Sequence, residues 1–202
     1  MTTKGKLICF EGLDKSGKTT QIQKLQEIFL FDEIKYKVFK YPRKESTTFQ
    51  IIELYQSELI DLHPKAAHLL YSANRWESQD DIQGYLNAGY HVILDRYFYS
   101  GAAYSNGSNG LDLNWCLQSD SGLLVPDIIF YIDTDPMIRI ERTRVGKTQD
   151  RYEDEKTQSN VERVYKMFMD KKWVVINGNE SVRKITERIL DHLGKIIPTD
   201  SV

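Results

Sequence analysis

The clearest chemistry in the chain lies in eight residues, Gly12-Leu13-Asp14-Lys15-Ser16-Gly17-Lys18-Thr19. They follow the apolar run Leu7-Ile8-Cys9-Phe10 and precede a helical pattern from Thr20 onward. A glycine-rich turn between strand and helix wraps successive backbone N–H groups around a polyphosphate, and the helix dipole adds positive potential. In that setting Lys18 reaches the outer phosphates and Thr19 offers its hydroxyl to Mg2+. Gly12, Lys15, Ser16, Gly17, Lys18, Thr19 and Thr20 are therefore the expected triphosphate-binding set. The pattern leaves open what becomes of the phosphate.

Other segments narrow the chemistry. Val92-Ile93-Leu94-Asp95-Arg96 is an apolar strand ending in a carboxylate and a cation. Its end falls where parallel sheets bind ligands, so Asp95 can hold Mg2+ through water and Arg96 a second phosphate. Asp133 competes for the metal role, but Thr134-Asp135-Pro136 makes helix capping the simpler reading of that cluster. Tyr71 and Arg75 are four apart, on one face of a predicted helix, and a ring beside a guanidinium can stack on and read a planar base. The spacing alone fits an ordinary helix face equally well. Arg139, Arg142, Arg144, Lys147 and Arg151 form a basic run broken by Gly146, which suits either a solvated face or a mobile lid. His63, His68, His91 and His192 show no metal-ligand spacing with cysteine.

These residues need a scaffold, and 202 residues suffice for one domain with a full core. A net charge of −2 gives no global attraction to nucleic acid or anionic membrane, so neither is an expected partner. No apolar run approaches membrane-spanning length, and Met-Thr-Thr-Lys-Gly-Lys does not read as a signal peptide. The cytoplasm, or the nucleus, is the expected compartment. Cys9 and Cys116 are too few for a disulfide framework, and Cys9 suits a core thiol.

Periodicity predicts strands over 6–10, 35–41, 91–95, 127–133 and 173–177. It predicts helices over 18–30, from Thr47 to about 59 behind a Thr47/Gln50 capping box, one long helix from Pro64 to about 87, then 136–143, 154–171 and 180–193. Residues 105–110, rich in Gly, Asn and Ser, read as a loop or helix break. Alternating βα units imply a parallel sheet with helices on both faces.

The combination resembles the thymidylate kinase family of nucleoside monophosphate kinases. The matching blocks are Phe10 to Gln21, Leu69 to Glu77 with its Ser-Ala-Asn-Arg-Trp-Glu, Asp95 to Tyr104, and Asp150-Arg151-Tyr152-Glu153. The resemblance implies a three-layer α/β/α fold of the P-loop NTP hydrolase type. It implies a five-stranded parallel sheet of order 2-3-1-4-5 and a short lid over about 141–151. It implies ATP as phosphoryl donor, Mg2+ as cofactor, dTMP as acceptor and a homodimer. By position, Tyr71 looks like the residue stacking on thymine and Arg75 like the donor to its carbonyl edge. Asp14 looks like the partner of the sugar 3′-hydroxyl and Arg96 like the phosphate-positioning arginine. Ser100, Gly101 and Tyr104 fall where the family lines the base pocket, and Tyr97 and Tyr152 lie near the deoxyribose.

Two departures stand out. Lys15 is a basic residue inside the phosphate loop, as in eukaryotic and poxviral members, yet the lid is basic too. The catalytic cation beside Lys18 and Arg96 is therefore Lys15, Arg142, Arg144 or Lys147. Where members show Phe-Pro-x-Arg, this chain has Tyr41-Pro42-Arg43-Lys44. Bidentate phosphate binding favours Arg43, and position favours Lys44. The alternative functions are another pyrimidine nucleotide or deoxynucleoside kinase on the same fold, a GTPase switch or a silent interaction protein. The chain lacks Asn-Lys-x-Asp, against the GTPase, and retains Lys18, Arg75 and Arg96, against the silent protein.

Overall fold

A computed structural model describes residues 4–143, 152 and 155–197. In chain order the elements are β1 (Leu7–Glu11), α1 (Lys18–Phe31), β2 (Tyr36–Lys40), α2 (Phe49–Gln56), α3 (Pro64–Trp76), α4 (Gln79–Asn87), β3 (His91–Asp95), α5 (Phe98–Asn109) and α6 (Leu113–Gln118). Then come β4 (Ile128–Asp133), α7 (Pro136–Thr143), α8 (Glu155–Phe168), β5 (Trp173–Asn177) and α9 (Val182–Leu193). The strands form one parallel sheet of order β2-β3-β1-β4-β5, the order the family resemblance implies.

The sheet separates two apolar layers because successive strand residues point to opposite faces. Leu7, Cys9, Val92, Leu94, Ile129 and Tyr131 face α4, α5 and α8. Ile8, Phe10, Ile93, Phe130 and Ile132 face α1 and α9 through Ile22, Leu25, Ile185 and Ile189. The three inner strands are buried almost throughout, whereas β2 and β5 are partly exposed, as edge strands are. The register places Phe10 beside Asp95, and Asp95 beside Lys40, so charged groups gather at the carboxyl edge.

Several elements differ from the sequence expectation, each for a tertiary reason. The single helix predicted from Pro64 breaks at Glu77 and Ser78. Ser78 is buried, donates to the Arg75 carbonyl at 3.1 Å and pairs with the Tyr41 hydroxyl at 2.5 Å. The Glu77 carboxylate accepts from the N–H groups of Thr47 and Thr48 at 3.0 and 3.3 Å. That acid, not a Thr47/Gln50 box, caps the approach to α2, which has no side-chain cap of its own. Residues 105–109 continue α5 rather than forming a loop, and Gly110 closes the helix at φ 66°. Gly107 is there for contact: a Cβ would lie 2.8 Å from the Val161 backbone nitrogen on α8. The helix α6 had no periodic signal and starts with Asp112 accepting from Trp115 N–H at 2.8 Å.

Asn74, wholly buried on α3, fastens the segment after β2. Its Oδ1 accepts from Arg43 N–H at 2.7 Å, and its Nδ2 meets the Arg43 carbonyl, Ser46 and Thr48. Asn74→Ala is therefore expected to speed amide exchange at Arg43 by roughly tenfold, with β3 amides unaffected. Unchanged exchange at Arg43, followed by mass spectrometry or NMR, would contradict this anchoring.

Candidate active site

The phosphate loop has the backbone its glycines permit. Gly12 and Gly17 sit at φ 140° and 105°, and a Cβ on Gly12 would lie 2.8 Å from the Ile132 carbonyl oxygen. Lys15 also lies in the left-handed region, at φ 61°. Gly17 caps α1 without a side-chain hydrogen bond, leaving the first-turn N–H groups for an anion. The Thr134 hydroxyl supports the loop from β4, donating to the Ser16 carbonyl at 2.9 Å. The Lys18 ammonium is folded onto the carbonyls of Gly12 and Leu13, at 3.0 and 2.7 Å. Thr19 Oγ1 lies 3.4 Å from Asp95 Oδ2, and Lys40 Nζ lies 3.7 Å from the same oxygen.

A cavity of about 910 Å³ opens on this loop. Its lining includes Asp14, Lys15, Ser16, Gly17, Lys18, Thr19 and Thr20, then Lys44, Tyr71, Arg75, Asp95, Arg96, Tyr97, Ser100, Gly101, Tyr104, Arg142 and Tyr152. Gly12 stays behind the surface, its carbonyl taken by Lys18 and by Arg96 at 3.1 Å. Arg144, Lys147 and Arg151, and with them most of the expected lid, lie outside the described residues.

Asp14 is the centre of the polar wall. It pairs with Arg96 Nη2 at 2.5 Å and accepts from the Tyr104 hydroxyl at 2.8 Å and Gln158 Nε2 at 3.1 Å. The Arg96 guanidinium also lies over the Tyr104 ring, 5.2 Å from its centroid. Arg96 has φ 67°, a left-handed conformation that costs energy in a non-glycine residue and must be held by its surroundings. Its own N–H donates to the Phe10 carbonyl at 2.9 Å, and the residues that follow it are fixed by Glu11. Fully buried, it accepts from Tyr97 N–H, Ser100 N–H and Ser100 Oγ at 2.9, 3.2 and 2.6 Å, and from Tyr165 OH at 2.9 Å. Sequence reasoning assigned nothing to Glu11, although a lone acid closing an apolar strand is a readable signal. Gln158, which also donates to the Tyr152 carbonyl at 2.8 Å, had no such signal.

At the aromatic wall, Arg75 is 2 % exposed and clasped by Asp120, Nε to Oδ1 at 3.0 Å and Nη2 to Oδ2 at 2.7 Å. A Cβ on Gly101 would stand 2.8 Å from both Nη atoms, so α5 must be bare there. Tyr152 stands edge-on to Tyr104 at 5.4 Å and borders Tyr71 and Tyr55. Tyr97 is buried against Tyr41 and Phe98, and the Ser100 hydroxyl is turned to Glu11. Of the two cations expected at the acceptor phosphate, Arg43 does not line this cavity. It lies over Phe39 at 5.1 Å and beside Glu45 and Asp81 at 3.6 and 3.5 Å, on a separate groove. Two carboxylates and a ring hold it there, while Lys44 reaches the main cavity. Arg142 donates to the Lys15 carbonyl at 3.0 Å, which sets its guanidinium over the loop.

Burial pushes the Lys18 ammonium down to about 7, and Arg96 adds to this against the carboxylates of Asp14, Asp95 and Glu11. Burial alone would raise Asp14, but Arg96 and Lys18, helped by the Tyr104 and Gln158 hydrogen bonds, bring it down to about 2. Burial raises Glu11, against the Ser100 hydrogen bond and the Arg96 charge. Because Lys18 is depressed only when folded, the unfolded chain binds more protons between about 7 and 10.5, and this group makes stability rise with pH across that window. A bound polyphosphate restores the charge. Mg-ATP binding at pH 8 should therefore take up close to about one proton, falling toward none near pH 6. Calorimetry in buffers of different ionisation enthalpy reads that number, and zero uptake at pH 8 would contradict a depressed Lys18.

A family model described as thymidylate kinase matches residues 10–189. The chain is similar to the thymidylate kinase of Plasmodium falciparum, 37% identical with 96% of this chain and 91% of that protein covered. It is also similar to that of Dictyostelium discoideum, 36% identical with 94% and 85% covered. Among solved structures, thymidylate kinase from Candida albicans superposes with a TM-score of 0.87 at 30% identity, covering 96% of this chain and 92% of that one. With the phosphate loop, the Asp14–Arg96 wall and the Arg75 end all facing one cavity, these matches show that the chain belongs to the thymidylate kinase family.

Proposed function

We propose that the cavity binds ATP on the phosphate loop and dTMP against Arg96, Tyr71 and Arg75, and that the γ-phosphoryl group passes to the dTMP phosphate to give dTDP. The enzyme is a phosphotransferase by family, and the observation that carries the site assignment is the shared cavity. The same space is lined by Lys18 and Thr19 and by the Tyr71–Arg75 pair. The acceptor is already an anionic oxygen, so no strong base is needed. Catalysis is alignment, charge stabilisation and water exclusion. Lys18 leaves the loop carbonyls to contact the outer phosphates. Arg96 and Lys44 hold the acceptor phosphate, and Asp14 takes the sugar 3′-hydroxyl. Lys15 and Arg142 approach the donor from the loop side.

The Thr19 hydroxyl and Asp95 carboxylate, 3.4 Å apart, form an oxygen-only set of the kind that holds Mg2+ with water. When bound there, the ion neutralises charge on the β- and γ-phosphates. Homodimer formation is supported by an exposed apolar line on α3, Ala66, Leu69 and Ala73, opposite the buried face that carries Ala67 and Asn74. Among the described residues no helix is long and apolar enough to cross a membrane. Both cysteines are buried free thiols, which supports the cytoplasm or nucleus.

The test is a coupled assay with Mg-ATP and each pyrimidine monophosphate. dTMP is expected to be the best acceptor, with partial dUMP turnover, because one methyl is worth only ~1–3 kcal/mol. Good turnover of dCMP or a nucleoside without dTMP activity would contradict the assignment and favour the other kinases of this fold. Lys44→Ala should raise the dTMP KM by about tenfold, consistent with a lost charged hydrogen bond, and Arg43→Ala by far less. The reverse order would restore Arg43 to the site.

A further inference from the structure

We propose that Asp120, which does not line the cavity, is a specificity-determining positioning residue: it locks Arg75 so that the site presents only donors to the pyrimidine edge. The inference rests on Arg75 reading the base, as proposed above. Asp120 takes Nε–H and one N–H of Nη2, in a pair whose side chains are 3% and 1% exposed. A guanidinium has five N–H donors and no acceptor. Beyond the Asp120 contacts what remains is donor only, and it comes from Nη1 and Nη2, the two atoms that also lie against Gly101.

The carboxylate is itself immobilised. Ser72 Oγ donates to Asp120 Oδ1 at 2.8 Å and reaches the Ser119 carbonyl at 3.0 Å. Trp76 Nε1 donates to the same carbonyl at 2.9 Å. His68 Nε2 sits 2.9 Å from the Cys116 carbonyl and 3.0 Å from Ser119 Oγ. His68, Ser72, Arg75 and Trp76 recur at three- and four-residue spacing, so one helix face fastens the turn after α6. The purpose of such a clamp follows from what an unclamped arginine would do. Free to swing, it could withdraw and let water bridge to an amino group. Held at two nitrogens on one side and against Gly101 on another, it cannot yield. Thymine presents a carbonyl oxygen at position 4 and is accepted. Cytosine presents an amino group there, and donor faces donor in a water-poor site, which is the costly mismatch.

The experiment compares Asp120→Asn with wild type on dTMP and dCMP at saturating Mg-ATP, well below the melting temperature of each. Asparagine keeps the shape but turns a donor toward Nη2. The dTMP KM should rise about tenfold with kcat little changed, and the dTMP/dCMP ratio of kcat/KM should narrow by about tenfold. In an Arg75→Met background the same substitution should leave that ratio within about twofold, because Asp120 acts through Arg75. A folded Asp120→Asn enzyme with the wild-type ratio, or one that narrows it equally without Arg75, would overturn the proposal. Should Asp120→Asn fail to fold, Ser72→Ala loosens the same carboxylate with both charges kept. It should narrow the ratio about threefold, and a ratio equal to wild type then overturns the proposal. A wild-type enzyme inactive on dTMP would instead defeat the functional reading itself.

Discussion

A carboxylate with no exposed surface organises this site. Glu11 ends the central strand β1, fully buried, and its two oxygens receive four hydrogen bonds from α5 and α8. A buried acid is costly unless every lone pair is engaged, so this one dictates where its donors go. Two of those donors are backbone N–H groups at the start of α5, which sets the helix at a fixed height on the sheet edge. Arg96, one residue before the first of them, is thereby held at a positive φ and delivered to Asp14 and the phosphate loop. The loop, the first turn of α5 and the α8 side chain Tyr165 thus share one polar centre.

The cations of the site are arranged in advance, and each has a stand-in partner. Lys18 rests on loop carbonyls, Arg96 on Asp14 and the Gly12 carbonyl, Arg142 on the Lys15 carbonyl. An anion that enters finds Lys18 already buried and the three cations aimed at the loop, and exchanges these contacts for stronger ones. Arg75 is the exception. Asp120 holds it at two nitrogens, where Asp14 holds Arg96 at one, which suits a residue that must keep its position while ligands come and go.

Much of this could be read in the sequence, and the pattern of success is physical. The phosphate loop, the strand ending at Asp95 and the parallel sheet are legible because local sequence sets them: glycine dihedrals, apolar runs and alternating βα units, whereas the strand order came from the family resemblance. Helical spacing puts Tyr71 and Arg75 on one face, and only the family resemblance gives that face a base to read. Long-range polar pairing is not. Nothing local says that Glu77 caps a helix thirty residues away, that Asn74 clasps Arg43, or that Asp120 meets Arg75 across 45 positions. For the same reason Arg43 was the attractive phosphate ligand until Asp81 and Glu45, facing a different groove, took it. Gly107 read as a chain breaker because its true role, room for Val161, belongs to another helix.

In this geometry Glu11, rather than the nucleotide, sets the segment that carries Arg96. The direct measurement is the kcat/KM for dTMP of Glu11→Gln, alongside its near-UV circular dichroism. The amide keeps the volume but converts one acceptor oxygen into a donor among donors. We expect a folded enzyme whose kcat/KM falls by at least about tenfold. A folded variant that turns over dTMP as wild type does would show that Arg96 finds its position without Glu11.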